Sequence, residues 1–476
     1  MERIGILVVS YGSRDVAIID TLSKSEIYDI EFYIADKQRN PFNLKITEKK
    51  GKHAVIPDLS IQKICNFAAK HKDKIRFGIV GSETPIINGI RDIIEKETKI
   101  PIICPTKRYA IESSKVSQRI LLQKSCPEAN PLFKIFDPNQ MGQQPKNEFR
   151  DWVLELGGVK NVVIKPDRPG FGKGVGVGEE HFRTLEEAYA HFDSIYGRGG
   201  DEKVIVEQKI NGEESSFQAF CDGKHLAILP DTRDHKRAFD GDKGPNTGGM
   251  GSYKGQDELL PFMLPSDRDK EIEIVNKIFH EIAGGKNNTN LLGIPFYVAF
   301  IHSSEGPKIL EINSRPGDPE IQSILPIIDE DLVDVFLKIL DGELHSVKLK
   351  KKSSVVIYKV PPSYAGYVEL FSKKIMMNEI NSPVHFSDFS KIPSIDAEKV
   401  SLYPGSIELR EDGNYYSLKS RTICSVGIGD TIEDARNHSL LGIENIHGGA
   451  LWFRKDIASK EHINKCVDHM IQLRKK

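Results

Sequence analysis

Over the first hundred residues, short apolar runs alternate with stretches of helical spacing. Ile4–Val9 reads as a buried strand, followed by a turn at Gly12–Ser13 and a helix. Ile30–Ala35 and Phe77–Gly81 read as further strands, while Ile61–Lys70 and Pro85–Glu97 repeat apolar residues with the helical period. This βαβ order predicts a parallel sheet with its ligand edge at the strand C-termini, where Gly12, Gly81 and Glu83 would sit. Each glycine taken alone also fits a simple tight turn.

The texture changes in the middle of the chain. Val162–Lys165 predicts a strand, then comes PDRPGFGKGVGVG, then a helix opened by a capping box at Thr184 and Glu187. Val204–Glu207 and Ser215–Cys221 predict strands, the second closed by a hairpin signal at Asp222–Gly223. Lys270–Ile282 is an amphipathic helix, and Lys308–Ile312 a strand running into NSRPGDPE. Past about 345 a lysine-rich link, KLKKK, precedes short β runs at Val355–Val360 and Ser406–Arg410. A helix near the end is expected to open with a second capping box at Asp430 and Glu433.

The bulk properties narrow the function classes. A chain of 476 residues, 39% apolar and 28% charged, has length for two to four domains with real cores. A net charge of −2 argues against a general nucleic-acid binder. Without an apolar run of about 18 residues, no membrane span is expected. The opening MERIGILVVSYGS reads better as a strand than as a signal peptide. The six cysteines lack zinc-site or disulfide-framework spacing, and a cytoplasmic location is expected.

The block DHKRAFDGDKGPNTGGMGSY, Asp234 to Tyr253, sets His235, Lys236 and Arg237 beside a run rich in Gly, Pro and Asn. Basic side chains with closely approaching backbone N–H groups suit an anion-holding loop. Lys165 ends a strand and is followed by Gly170, Gly172, Lys173 and Gly174, which can cradle nucleotide phosphates, although the spacing is not that of a Walker A loop. A hairpin turn with a solvated lysine explains the same residues. Glu207 closes a strand whose backbone could meet an adenine edge, and Glu214 could accept from ribose hydroxyls; each alone also fits a surface charge. Glu311 and Asn313 alternate on a strand, so both oxygens face one side, as Mg²⁺ bridged to phosphates requires. Arg315 would point the same way and clamp an anion, with a strand-end salt bridge as the plain alternative. Asp318 and Glu320 are expected to hold the loop. No nucleophilic triad is expected.

In this order the pieces resemble the ATP-grasp superfamily and, more closely, the glycinamide ribonucleotide synthetase (phosphoribosylamine–glycine ligase) family. DHKRAFDGDKGPNTGGMGSY is close to that family's signature loop, EINSRPGDPEIQ to its metal-site strand and VEQKINGEESSF to its nucleotide hinge. VGSETPIINGIRD resembles its substrate-side loop and FRKDI its C-terminal stretch, so the likeness covers nearly the whole chain. The resemblance implies an N-terminal parallel-sheet α/β domain (1–110) and a central ATP-grasp unit (111–335) with a small lid at about 125–195. An α+β C-terminal domain of mixed β structure (345–476) would complete the chain.

The reaction implied is ATP + glycine + 5-phosphoribosylamine giving glycinamide ribonucleotide, ADP and phosphate through a glycyl acyl phosphate, in de novo purine biosynthesis. Lys115, Lys165, Gly172, Lys173 and Gly174 would take the ATP phosphates; Glu207, Ile210 and Glu214 would hold adenosine. Glu311 and Asn313 would bind Mg²⁺, with Mn²⁺ as the alternative. Arg315, His235, Lys236 and Arg237 would neutralise the reacting anions. Gly12, Arg14, Gly81, Glu83 and the run Asn246, Thr247, Gly248, Gly249 and Met250 would meet the substrates. A monomer or homodimer is expected. The chain departs from the family's motifs in several places: Asp15 stands at the acidic position and Val16 at the histidine of the N-terminal motif, DRPGFGKGV stands for DGLAAGKGV after Lys165, RPGDPE for RFGDPE and KSR at Arg421 for GGR, and Ala299 occupies an occasional extra metal-ligand position; the substrate side is the more altered. A ligase joining a different amino acid to a different amine, or a non-catalytic nucleotide-binding paralogue, are the other readings.

Overall fold

The computed structural model describes residues 1–141, 145–170, 174–364, 377–386 and 398–475. The N-terminal unit is a five-stranded parallel sheet in the spatial order Gly51–Val55, Tyr28–Asp36, Glu2–Ser10, Ile75–Val80, Ile102–Ile103. Glu2–Ser10 lies in the middle, and its stretch Ile6–Val9 is fully buried, the reason its sequence is an unbroken apolar run. The order of strands reverses between Glu2–Ser10 and Ile75–Val80. The loops after Ser10 and Val80 therefore diverge and open a crevice at the C-terminal edge.

The central unit is built on two antiparallel sheets. The smaller has the order Phe133–Phe136, Val204–Gln208, Val162–Pro166, Gly176–Val177, and packs on the helices Lys146–Glu155 and Leu185–Asp193 around Phe136, Phe149 and Phe192. The larger runs Leu226–Ile228, Glu213–Asp222, Leu292–Ser303, Gly306–Asn313. It is covered by the helices Lys115–Ser125 and Pro265–Ala283, with Leu122, Ile274, Phe296 and Ile309 in the shared core.

The segment from Asp234 to Tyr253 is not an open loop. Arg233–Asp234 and Gly251–Lys254 are strands of the C-terminal sheet, whose order continues through Ser353–Lys359 and Ile423–Gly429 to Val400–Pro404. Between them Arg237–Phe239 and Lys243–Asn246 form a two-stranded hairpin. The main apolar core runs through all of this, joining Ile6 and Val8 of the first unit to Phe220, Leu292, Val355 and Ile357. The fold thus has the expected N-terminal parallel α/β unit, central unit and C-terminal β unit, but the C-terminal sheet is antiparallel at every described pairing and takes two strands, Arg233–Asp234 and Gly251–Lys254, from within the stretch expected to form the central unit.

One helix opens one residue later than expected. Helix Ile432–Glu444 is capped by Thr431, whose hydroxyl accepts from the Asp434 N–H at 3.1 Å while Asp434 Oδ2 accepts from the Thr431 N–H at 3.2 Å. Asp430 instead pairs with Lys352 at 2.6 Å. A threonine with extended backbone can serve its own third N–H, which decides the register of the box.

This helix lies directly on strand Ile423–Gly429: a Cβ at Gly427 would sit 2.0 Å from the Ala435 carbonyl oxygen. Gly427→Ala is predicted to lower the urea midpoint by the equivalent of roughly 1–3 kcal/mol through overpacking. Thr431→Ala should cost about 1 kcal/mol. A wild-type midpoint for Gly427→Ala would contradict the packing.

Candidate active site

Strand Gly306–Asn313 ends where the units meet. Its alternation buries Ile312 in the core and turns Glu311 and Asn313 to the opposite face, with Asn313 Nδ2 3.5 Å from Glu311 Oε1. Burial by itself would raise the Glu311 carboxyl. Lys236, Lys115, Lys165 and Arg315 outweigh it and hold the group below its ordinary range. An ionised carboxylate beside a carboxamide, ringed by cations from four different segments, suits a divalent cation together with phosphate oxygens. The donor set therefore fits the metal ion that the sequence leads one to expect. Ala299 is the cross-strand partner of Glu311 and adds no ligand atom.

Lys165 reaches this place through an ion triad. Glu207, 2% exposed, accepts from Arg119 Nε at 2.8 Å and pairs through its other oxygen with the Lys165 ammonium. Arg119 also donates to the Ile309 and Leu310 carbonyls at 2.9 Å, and Lys165 to the Leu310 carbonyl at 3.2 Å. Burial works against the charge on Glu207, but the two cations keep it ionised. The Glu207 carboxylate is thus committed to Arg119 and Lys165 and is not presented to a nucleoside; its backbone is paired between Phe133 and Val163. Ile210 is half-buried just beyond that strand. Lys115 opens helix Lys115–Ser125, which is capped by Ser114 and tied down by Asp167, whose Oδ1 accepts from the Val116 N–H at 2.9 Å. Gly174, at φ 84°, is in the conformation open to glycine; Gly172 and Lys173 lie outside the described residues.

The basic triplet divides by strand alternation. Lys236 faces Glu311 and pairs with Glu214 at 2.7 Å, so Glu214 serves a cation. Arg237 pairs with Glu180 of the smaller-sheet unit and donates to the Gly244 carbonyl at 3.0 Å. His235 points the other way, is 1% exposed, and packs against His462 with ring centroids 4.7 Å apart. Its expected place among the anion-neutralising groups is therefore corrected: neighbours in an extended segment face opposite sides.

The glycine-rich run after the hairpin is held tightly. The Thr247 N–H donates to the Lys236 carbonyl at 2.8 Å, the Gly248 N–H to the Tyr364 hydroxyl at 2.9 Å, and Asn246 pairs with Arg237 in the hairpin. Gly249 has φ 106°, and a Cβ there would lie 2.6 Å from Pro319. Met250 is also corrected as a substrate contact. Its side chain is in the core and its backbone is used by His235 and Tyr358.

At the N-terminal crevice Glu83 stands between two arginines, 3.9 Å from Arg14 Nη2 and 3.5 Å from Arg315 Nε. Arg315 also lies 3.6 Å from Glu112, and Arg14 donates to the Pro316 carbonyl at 3.0 Å. Gly12, at φ 118°, turns the chain into helix Ser13–Ser23, and Gly81 has no space for a Cβ, which would fall 1.9 Å from Asp15 Oδ1. Arg14 Nε, Asp15 Oδ1 and Ser82 Oγ are buried here without hydrogen-bond partners among the described residues. Such orphaned polar atoms at a sheet's ligand edge mark a place for a polar small molecule. Sequence reasoning missed Arg119 and Glu112, which look like ordinary helix and turn charges. It also assigned no role to Arg421, which donates to the Gly248 carbonyl at 2.6 Å and pairs with Asp318 at 2.8 Å.

The chain's likeness to known proteins bears directly on this arrangement. The family model of the phosphoribosylglycinamide synthetase N domain matches residues 4–112, and that of its ATP-grasp (A) domain matches residues 142–321. The phosphoribosylamine–glycine ligase of Methanosarcina barkeri is 33% identical over 472 residues, 98% of this chain and 99% of that protein. The ligase of the same name from Pyrococcus furiosus is 33% identical over 470 residues, 98% of each. The crystal structure of phosphoribosylamine–glycine ligase from Thermotoga maritima matches with a TM-score of 0.71 at 22% identity, covering 95% of this chain and 100% of that one. The biotin carboxylase domain of Hydrogenobacter thermophilus 2-oxoglutarate carboxylase, solved with MgADP and bicarbonate, matches with a TM-score of 0.64 at 15% identity, over 98% and 93% of the two chains. These two likenesses speak for the fold.

Asp15 supplies a pH test of the crevice. Burial, only partly offset by Arg14 and the Tyr11 N–H, raises its carboxyl from 3.8 to about 6. A folded-state value above the unfolded one gives stability that is complete below about pH 3.8 and lost as pH rises through about 6. Asp15→Asn should therefore be more stable than wild type at pH 7, by roughly 1–3 kcal/mol, and the two should converge at low pH. Urea denaturation at pH 4, 6 and 7.5 measures this; a variant less stable at pH 7.5 would contradict it.

Proposed function

The chain belongs to the phosphoribosylglycinamide synthetase family, and from that premise we propose that it joins glycine to 5-phosphoribosylamine at the expense of ATP. The observation that carries this reading is the ionised, cation-ringed Glu311 beside Asn313, with Lys165 held next to it by Glu207 and Arg119.

In this reading ATP phosphates lie against Lys115, Lys165 and the turn at Gly174, with the smaller-sheet unit as a lid. Glu311 and Asn313 would hold the divalent cation, Mg²⁺ or Mn²⁺. A divalent cation bound there would neutralise charge on the phosphate oxygens. A glycine carboxylate oxygen attacks the γ-phosphorus and the bond to ADP breaks, giving glycyl phosphate. The amine of phosphoribosylamine then attacks the acyl carbon, phosphate leaves with that carboxylate oxygen, and the amine loses a proton. In this reading Lys236 and Arg315 stabilise the transferred negative charge, and neither must form a covalent bond. The unpartnered polar atoms of Arg14, Asp15 and Ser82, next to Glu83, support the crevice as the phosphoribosylamine side. No described helix is long and apolar enough to cross a membrane, and the reading is of a cytoplasmic enzyme, monomeric or dimeric.

The test is product formation from Mg-ATP, glycine and phosphoribosylamine generated in situ. ADP release should require both co-substrates and yield glycinamide ribonucleotide by mass. ADP release driven by glycine with a different amine would replace the substrate assignment. Glu311→Ala and Lys165→Ala should each lower kcat by at least about 10²-fold with the folded circular dichroism spectrum retained, and Lys165→Ala should also lower the urea midpoint, because it leaves the buried Glu207 carboxylate to Arg119 alone. Loss of the folded spectrum would make these residues structural instead.

A further inference from the structure

On the far side of the hairpin from Glu311, three side chains that the proposed reaction does not use converge. His235 lies between strands Arg233–Asp234 and Arg237–Phe239, and Asp242 in the turn of the Arg237–Asn246 hairpin. His462 is in the first turn of helix Lys460–Arg474, which is capped by Ser459. One ring nitrogen of each histidine and one oxygen of Asp242 all lie within 4.8 Å of one another. His462 Nε2 is 2.7 Å from Asp242 Oδ2. His235 is 1% exposed, yet both of its ring nitrogens are buried without a hydrogen-bond partner among the described residues. A buried imidazole with neither nitrogen satisfied forfeits hydrogen bonds that water would supply, so it calls for a ligand.

We propose that His235, Asp242 and His462 form a binding site for a divalent transition-metal ion, with Zn²⁺ the best-suited occupant. Two imidazoles and one carboxylate are a donor set for such an ion, with a remaining position for solvent. A tetrahedral zinc ion with bonds of about 2.0–2.1 Å holds its ligands roughly 3.3 Å apart. With His462 Nε2 2.7 Å from Asp242 Oδ2 and no two ligand atoms of the cluster more than 4.8 Å apart, the present distances bracket that spacing. The surroundings also suit it. The second carboxylate oxygen of Asp242 accepts from Arg454 Nη2 at 3.0 Å, which fixes the carboxylate's orientation. The nearby cations are already matched: Arg454 pairs with Asp456 at 2.7 Å, and Arg233 with Glu213 at 2.7 Å. The Asp242 side chain is 35% exposed, so an ion can enter from solvent on that side.

Such an ion would staple the hairpin to the C-terminal helix. Its ligand His235 directly precedes Lys236, so the staple would fix the segment that delivers Lys236 to Glu311. Its role is therefore structural and independent of the substrate assignment.

The full-length protein, stripped with a chelator and free of nucleotide, is titrated with Zn²⁺ against a chromophoric competitor and separately with Co²⁺. The expected result is one tight equivalent per chain, an intense visible Co²⁺ spectrum of four- or five-coordinate type, and a Zn²⁺-dependent rise in Tm. His462→Gln and Asp242→Asn should weaken Zn²⁺ at least tenfold and abolish the rise in Tm, whereas Glu311→Gln should leave the binding intact. Tight binding that survives His462→Gln, or is lost in Glu311→Gln, would assign the ion to another site and overturn the proposal. The Co²⁺ titration of the wild-type chain decides the matter without any variant: a weak spectrum of octahedral type alone would also overturn it.

Discussion

The buried triad of Arg119, Glu207 and Lys165 is the constraint on which the site depends. It takes one residue from the helix on the larger sheet and two from neighbouring strands of the smaller sheet. Two of them, Arg119 and Lys165, donate to the backbone of strand Gly306–Asn313 one and two residues before Glu311, and Glu207 ties the two together. A carboxylate buried to this extent is costly in isolation, and two cations with a set of carbonyl acceptors repay that cost only in good geometry. The same geometry then fixes where the Lys165 ammonium stands. Strand alternation, an ion triad and a strand terminus combine to put positive charge around one carboxylate.

From that point the site extends in two directions. Towards the C-terminal sheet, Lys236 and the glycine-rich run are held by Thr247, Tyr364 and Arg421, so the anion-facing segment is a braced hairpin rather than a free loop. Towards the N-terminal sheet, Arg315 and Arg14 share Glu83 at the crevice where the strand order reverses. The Glu311 cluster and the crevice residues are thus joined through Arg315, which lies near both Glu311 and Glu83. Two of the departures from the family's motifs fall on the crevice side. Asp15 is buried against Gly81, and Pro316 presents its carbonyl to Arg14.

Legibility in the sequence followed burial and periodicity. Glu2–Ser10 was readable because both faces are covered, while Gly51–Val55 escaped notice because GKHAV is a half-exposed edge strand with little apolar signal. Glu311 and Asn313 could be read as a pair because period-two alternation places them on one face. The same rule, applied to His235 and Lys236, would have separated them. Arg119 and Glu207 could not be paired from sequence, since their 88-residue separation is closed by the tertiary fold. The box at Thr431 and Asp434 was mis-set by one residue because Asp430 and Glu433 offer an equally plausible spacing. Pairings made by packing between units leave no local periodic mark.

The central claim is that this site activates a carboxylate by phosphorylation before the amine attacks. Isotope transfer tests it most directly: glycine carrying ¹⁸O in both carboxylate oxygens is turned over with Mg-ATP and phosphoribosylamine, and the phosphate released is analysed by mass. The account predicts one ¹⁸O atom in each phosphate, because the oxygen that attacks phosphorus leaves with it. Phosphate carrying no ¹⁸O would mean that ATP is cleaved by water at this site, and would contradict the account.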